Sequence, residues 1–140
     1  MNVKVADIMS ESVLTAEPHQ SVEHIRQLLD RNKISSVPVV DSDGQPVGVV
    51  SATDLAHDLK AGSPISSIMT EKVYVVPKYE EVSIAARVMR NHKIHHVVVT
   101  HEKKVVGILS AFDLLKLVEG HRYVEKNPPT KSKRKGSKRK

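Results

Sequence analysis

Apolar residues recur along this chain in two rhythms, and the whole series is written twice. Val22, Ile25, Leu28 and Leu29 fall at helical spacing with polar residues between them, as do Val82, Ala85, Val88 and Met89. Each set predicts one amphipathic helix. Ser21 stands where the first helix needs an N-cap, its hydroxyl able to take one of the backbone N–H groups left over at a helix start. Continuous apolar, β-branched runs at 37–40 and 47–50 flank Asp41-Ser42-Asp43-Gly44, whose residue types suit a tight reversal, so the segment predicts a hairpin. Runs at 97–99 and 105–109 repeat it around His101-Glu102-Lys103-Lys104. Continuous rather than alternating apolarity implies strands covered on both faces. Runs at 13–15 and 73–76 end near Pro18 and Pro77 and predict a first strand in each half. Segments 52–60 and 111–119 predict short closing helices.

A shift of 60 residues brings the halves into register: Ile8-Met9 on Ile68-Met69, Val13 on Val73, Val22 on Val82, Lys33-Ile34 on Lys93-Ile94. After a one-residue gap, Gly48 falls on Gly107, Ser51 on Ser110, Asp54 on Asp113 and Leu55 on Leu114. Each half is then strand, helix, strand, strand, helix, an α/β (α+β) chain of two β-α-β-β-α repeats. Units this small bury too little surface to be secure alone, and two copies on a short linker most simply stack on each other. Gly62, Ser63 and Pro64 break the chain and Gly120 closes the last helix. The expected divisions are therefore 1–62, 63–120 and a tail at 121–140.

Composition changes this picture mainly at the C-terminus. The 39% hydrophobic content suits a packed core, built from Val, Ile, Leu and Met because the large aromatics number only Phe112, Tyr74, Tyr79 and Tyr123. The net charge of +6 is not spread over the chain: residues 126–140 hold 8 of the 22 basic and none of the 16 acidic residues, leaving residues 1–125 at −2. That tail lacks the apolar residues needed to form a core and is expected to be disordered when free. It reads either as an electrostatic arm for nucleic acid or another polyanion, or as a solubilising tail. The absence of cysteine excludes disulfides, thiolate metal sites and cysteine nucleophiles. With no run of about 18 apolar residues, the default is a cytoplasmic protein with no membrane contact.

The repeated stretch, GVVSATDL from Gly48 and GILSAFDL from Gly107, carries the candidate chemistry. A strand-to-helix turn exposes backbone N–H groups suited to a phosphate or to a capping side chain. Ser51 and Ser110 are the natural caps. An aspartate three residues on can close a capping box, or accept two hydrogen bonds from a vicinal diol such as ribose. Composition and spacing leave both readings open.

The ordered pattern Ile8-Met9, Val13, a helix, Ile34-Ser35-Ser36-Val37-Pro38-Val39-Val40-Asp41, Gly44 and Val47-Gly48-Val49-Val50-Ser51-Ala52-Thr53-Asp54-Leu55, with its second copy, resembles a tandem pair of CBS domains, a Bateman module. The resemblance covers residues 3–119. It implies a pair packed with pseudo-two-fold symmetry, a homodimer, and an adenosyl ligand (AMP, ADP, ATP or S-adenosylmethionine) in the clefts between repeats. It implies that Asp54 and Asp113 hold ribose hydroxyls, that Ser51, Ser110 and Thr53 lie near the phosphates, and that Val13, Leu14, Ile34, Ser35 and Ser36 enclose the adenine. His95 and His96 match positions from which the opposite repeat reaches the phosphates. The clefts are then unequal. The one on Asp54 combines Ser51, Thr53, His95 and His96, whereas Phe112 replaces Thr53 in the other, so the Asp54 cleft is the expected nucleotide site. Val98 departs from a proline usual in the family and present here as Pro38.

His92, His95, His96 and His101 lie within ten residues, but neighbours in a strand face opposite ways and no closed metal set emerges. Protonated, they suit phosphate, so affinity is expected to weaken as pH rises through their titration range. No G-x-x-x-x-G-K loop or G-x-S-x-G elbow is present. The expectation is a non-catalytic sensor acting on an unidentified regulated protein, with a nucleic-acid accessory protein, dimerised by the pair and binding through its tail, as the alternative.

Overall fold

A computed structural model describes residues 2–11 and 14–119; Val13 and the basic tail lie outside them. The elements are α1 (Val5–Ile8), α2 (Val22–Asn32), β1 (Ser36–Val40), β2 (Pro46–Ser51), β3 (Val75–Pro77), α3 (Val82–His92), β4 (His96–His101), β5 (Lys104–Ser110) and α4 (Lys116–Glu119). They form two α/β repeats. In the first, β1 pairs antiparallel with β2; in the second, β3 runs parallel to β4, which pairs antiparallel with β5.

Both amphipathic helices form where the periodicity places them. Helix α2 buries Val22, Ile25 and Leu29, and the Ser21 hydroxyl accepts from the His24 N–H at 3.1 Å. Helix α3 buries Val82, Ala85 and Met89. Both end on a left-handed lysine, Lys33 and Lys93, each at φ 55°, which stops the helix by turning the chain out of it. Beneath them β1 and β4 are buried along nearly their whole length, the covering expected of continuous apolar runs. The hairpin turns differ. Gly44 adopts φ 81° in the first, and the Asp41 carboxylate accepts from the Asp43 and Gln45 N–H groups at 2.9 Å each. Glu102 and Lys103 take φ 53° and 71° in the second.

Three predicted elements are altered. The first strand of the first half reduces to a parallel bridge one residue beyond 13–15: Ala16 N–H donates to Pro38 O at 2.9 Å, and Ala16 O accepts from Val40 N–H at 2.8 Å. Pro18, two residues on, has no N–H to extend the ladder. The helix expected over 52–60 is a single 3-10 turn at Asp54–Ala56. Arg26 captures the carbonyls of Leu55 (2.8 Å) and His57 (3.3 Å), and the chain turns extended at His57. Over 111–119 a 3-10 turn, Phe112–Leu115, runs into α4.

The halves exchange their leading segments. Val5 and Ile8 of α1 are buried with Val82, Val97, Val99 and Leu109 of the second half, and Ile65, from the start of the second half, is buried with Val22, Ile25 and Val37 of the first. Backbone bonds fasten the exchange: Val5 N–H to Glu80 O and Val22 N–H to Ser63 O, both 2.8 Å. Thr70 exchanges two bonds with Val49 at 2.9 Å, and Ser10 exchanges two with Ile108 at 3.0 and 3.2 Å. These crossings explain the repeated glycines. A Cβ on Gly48 would lie 2.7 Å from Met69 Sδ and 3.0 Å from Thr70 O; one on Gly107 would lie 2.7 Å from Met9 Sδ and 2.8 Å from Ser10 O. Each glycine lets a backbone from the other segment approach closely.

Candidate functional site

At the C-terminal end of β2 the serine and aspartate of the first copy close a capping box. Ser51 N–H donates to Asp54 Oδ2 at 2.9 Å, and Asp54 N–H donates to Ser51 Oγ at 3.2 Å. Ser110 and Asp113 do the same at 2.9 Å in both directions. The capping reading therefore holds in both copies, and it leaves Asp54 Oδ1 outside the box. Two equivalent bonds anchor the turns to the segment before each middle strand: Ala52 N–H to Ser35 O and Ala111 N–H to His95 O, both 2.8 Å.

Packing the halves together leaves a cavity of about 570 Å³, open to solvent on one side, between them. Ser35, Ser36, Ser51, Thr53 and Asp54 line it from the first half, and His95 and His96 from the second. Seven residues singled out in the sequence thus meet in one space. Ser36 Oγ is buried there without a hydrogen-bond partner. The opposite wall brings in Thr70, Lys72, Tyr74, Lys93 and Ile94, none of which the sequence reading singled out. The 60-residue register carried the signal for Tyr74 and Ile94, since it sets them opposite Leu14 and Ile34. Tyr74 stacks on His92 with ring centroids 4.2 Å apart, and the Lys72 ammonium lies 5.8 Å from the Tyr74 ring centroid.

The remaining candidates lie elsewhere. Ile34 lines a separate cavity of about 340 Å³ beside Arg26 and Lys33. Leu14 is exposed and does not line the larger cavity; Val13 lies outside the described residues. Ser110 and Asp113 also lie outside that cavity. The Lys116 ammonium sits 3.6 Å from Asp113 Oδ1 while donating to Ile8 O at 3.1 Å.

His96 links the two aspartate turns. It lines the cavity beside Asp54 and is paired with Ser110 across β4 and β5. Burial lowers its pKa, neighbouring His95 lowers it further, and Asp113 acts against both. Its neutral form is favoured in the folded chain, with a carboxylate close enough to favour protonation when a further negative charge arrives. Among the described residues no three His, Asp or Glu side chains gather as a metal site, and no helix is long and apolar enough to cross a membrane.

Comparison with known proteins yields a consistent set. The model of the CBS domain family matches twice, over residues 5–61 and 65–120. The chain is 36% identical over 119 residues to inosine-5'-monophosphate dehydrogenase of Halobacterium salinarum, covering 81% of this chain and 24% of that protein. It is 30% identical to the uncharacterized protein MJ1232 of Methanocaldococcus jannaschii, covering 85% of this chain and 40% of that one. The chain thus spans less than half the length of these curated relatives. The CBS domain pair of protein MJ0100, solved with 5'-methylthioadenosine and S-adenosyl-L-methionine, superposes with a TM-score of 0.78 at 30% identity, covering 87% of this chain and all of that one. CBSX2, solved with AMP, gives 0.73 at 25% identity, covering 83% of this chain and 96% of that one.

Proposed function

This chain belongs to the CBS domain family, and from that premise we propose that it is a non-catalytic regulatory module binding an adenosyl ligand between its repeats, at 1–62 and 63–120. The observation that carries the reading is the single cavity joining Ser51, Thr53 and Asp54 of one repeat to His95 and His96 of the other. In this reading Asp54 accepts from the ribose diol through the oxygen its cap leaves over, Ser51 and Thr53 offer hydroxyls to the phosphates, and His95 and His96 approach them from the far side. The adenine lies between Ser35 and Ser36 on one side and Tyr74 and Ile94 on the other. Similar pairs bind AMP, S-adenosylmethionine and 5'-methylthioadenosine, which supports the ligand class.

A ligand touching both repeats favours the arrangement of repeats it fits best, and differential affinity for two arrangements is what transmits a signal. That a comparable segment makes up about a quarter of a dehydrogenase supports a role in controlling a partner, with the module acting as a cytoplasmic homodimer. Calorimetric titration of AMP, ADP, ATP and S-adenosylmethionine into the intact chain tests the reading. Saturable binding that Asp54→Ala weakens is expected; no binding by any of the four would overturn it.

A further inference from the structure

Resting on the adenosyl reading, we propose that the Asp54 cleft selects its ligand by the phosphate chain: it takes adenosine di- and triphosphates through Lys72 and Lys93, and discriminates against the sulfonium and thioether adenosyl compounds.

The charges around the cavity argue for this. Lys72 and Lys93 are two basic residues in its lining, against the single carboxylate of Asp54. The two lysines come from separate elements, Lys72 from the segment leading to β3 and Lys93 from the C-terminus of α3, so they converge on one space from different directions. Among the described residues neither forms an ion pair. Lys72 lies against the Tyr74 ring, a weak contact that holds the ammonium along the wall. The other aspartate turn is built differently: Lys116 there sits on Asp113 and on the Ile8 carbonyl.

A cleft with unspent cations and one partly engaged carboxylate complements a polyanion. Each added phosphate raises the attraction, because it adds negative charge to the ligand beside two ammonium groups whose mutual repulsion an anion between them relieves. S-Adenosylmethionine instead presents a sulfonium cation at the 5' position, towards the lysines, and 5'-methylthioadenosine presents no charge. His95 and His96 can add charge on protonation but are not needed for the sign.

The test is calorimetry on the intact chain with adenosine, 5'-methylthioadenosine, S-adenosylmethionine, AMP, ADP and ATP at fixed pH and ionic strength. Affinity is expected to rise from AMP to ATP and to fall below that of AMP for the three compounds without phosphate. Lys72→Gln and Lys93→Gln should each weaken ATP about tenfold, roughly 1.4 kcal/mol, and leave adenosine unchanged. Both lysines are exposed, so the variants should unfold at the wild-type temperature. Binding of S-adenosylmethionine or 5'-methylthioadenosine at least as tight as ATP, or equal losses for ATP and adenosine in the lysine variants, would overturn this inference while sparing the adenosyl reading. Failure of all six compounds to bind would remove both.

Discussion

Ser51 and Asp54 hold each other from both sides, each accepting the other's backbone N–H, at 2.9 and 3.2 Å. The same reciprocal pair joins Ser110 and Asp113, yet only the first pair faces the 570 Å³ cavity. Stability and ligand binding should therefore separate. Asp54→Ala and Asp113→Ala are each expected to cost about 1 kcal/mol of stability in urea titrations, the usual worth of a helix cap. Only Asp54→Ala should also weaken nucleotide binding substantially. Equal binding losses, or the larger loss at Asp113, would reverse the ranking of the two turns.

The glycines at the crossings give a second prediction. Gly48→Ala and Gly107→Ala each place a methyl group against a methionine sulfur and a backbone carbonyl. A sulfur can swing aside; a carbonyl held in a two-bond exchange cannot. Each variant should lose about 1–3 kcal/mol, as overpacked sites do. Gly48→Ala should also reduce ligand affinity, because Val49 and Thr70 line the cavity. Truncating the methionine, in Met69→Ala or Met9→Ala, should relieve only part of the loss.

The exchange of leading segments can be read by hydrogen exchange. Ile65 is fully buried, in the core of the first half. Ile65→Ala should cost about 2–5 kcal/mol, as large-to-small core changes do. Its effect on amide protection should be greater in α2 than in α3, although Ile65 is nearer in sequence to α3. Greater loss in α3 would contradict the exchanged core.

His96 makes stability depend on pH. Its folded pKa lies below the ordinary value of 6.5, so the unfolded chain binds the proton more readily. Stability is present above the unfolded pKa and is lost as pH falls through it towards the folded one. Urea midpoints of the wild type should drop over that window, and His96→Asn should flatten the drop. A nucleotide phosphate would oppose the depression, so binding should take up protons, measurable as a dependence of calorimetric heat on buffer ionisation enthalpy. An unchanged pH profile in His96→Asn would remove this residue from the account.

Much of this protein is legible along the chain because it depends on local spacing. Val22, Ile25 and Leu29 mark a helix by their period whatever they pack against, and the second copy in Val82, Ala85 and Met89 turns one inference into a repeat. The Ser51 and Asp54 pair is legible for the same reason, since a cap is made within one turn. Where local preference met a distant partner it lost: Arg26, folded back from α2, takes the Leu55 and His57 carbonyls that a longer helix would have needed.

The sequence by itself determined the two-fold repeat, the helical faces, the hairpins and the residues of the two turns, all set by contacts within about one element of each other. Only the tertiary structure decided which core each leading segment enters, because Val5 and Ile65 are anchored by backbone carbonyls of Glu80 and Gln20, groups every residue carries. The close approach at Gly48 and Gly107 follows from that exchange. So does the cleft, whose Lys72, Tyr74 and Lys93 meet Asp54 only once the halves are docked, a proximity that no spacing along the chain encodes.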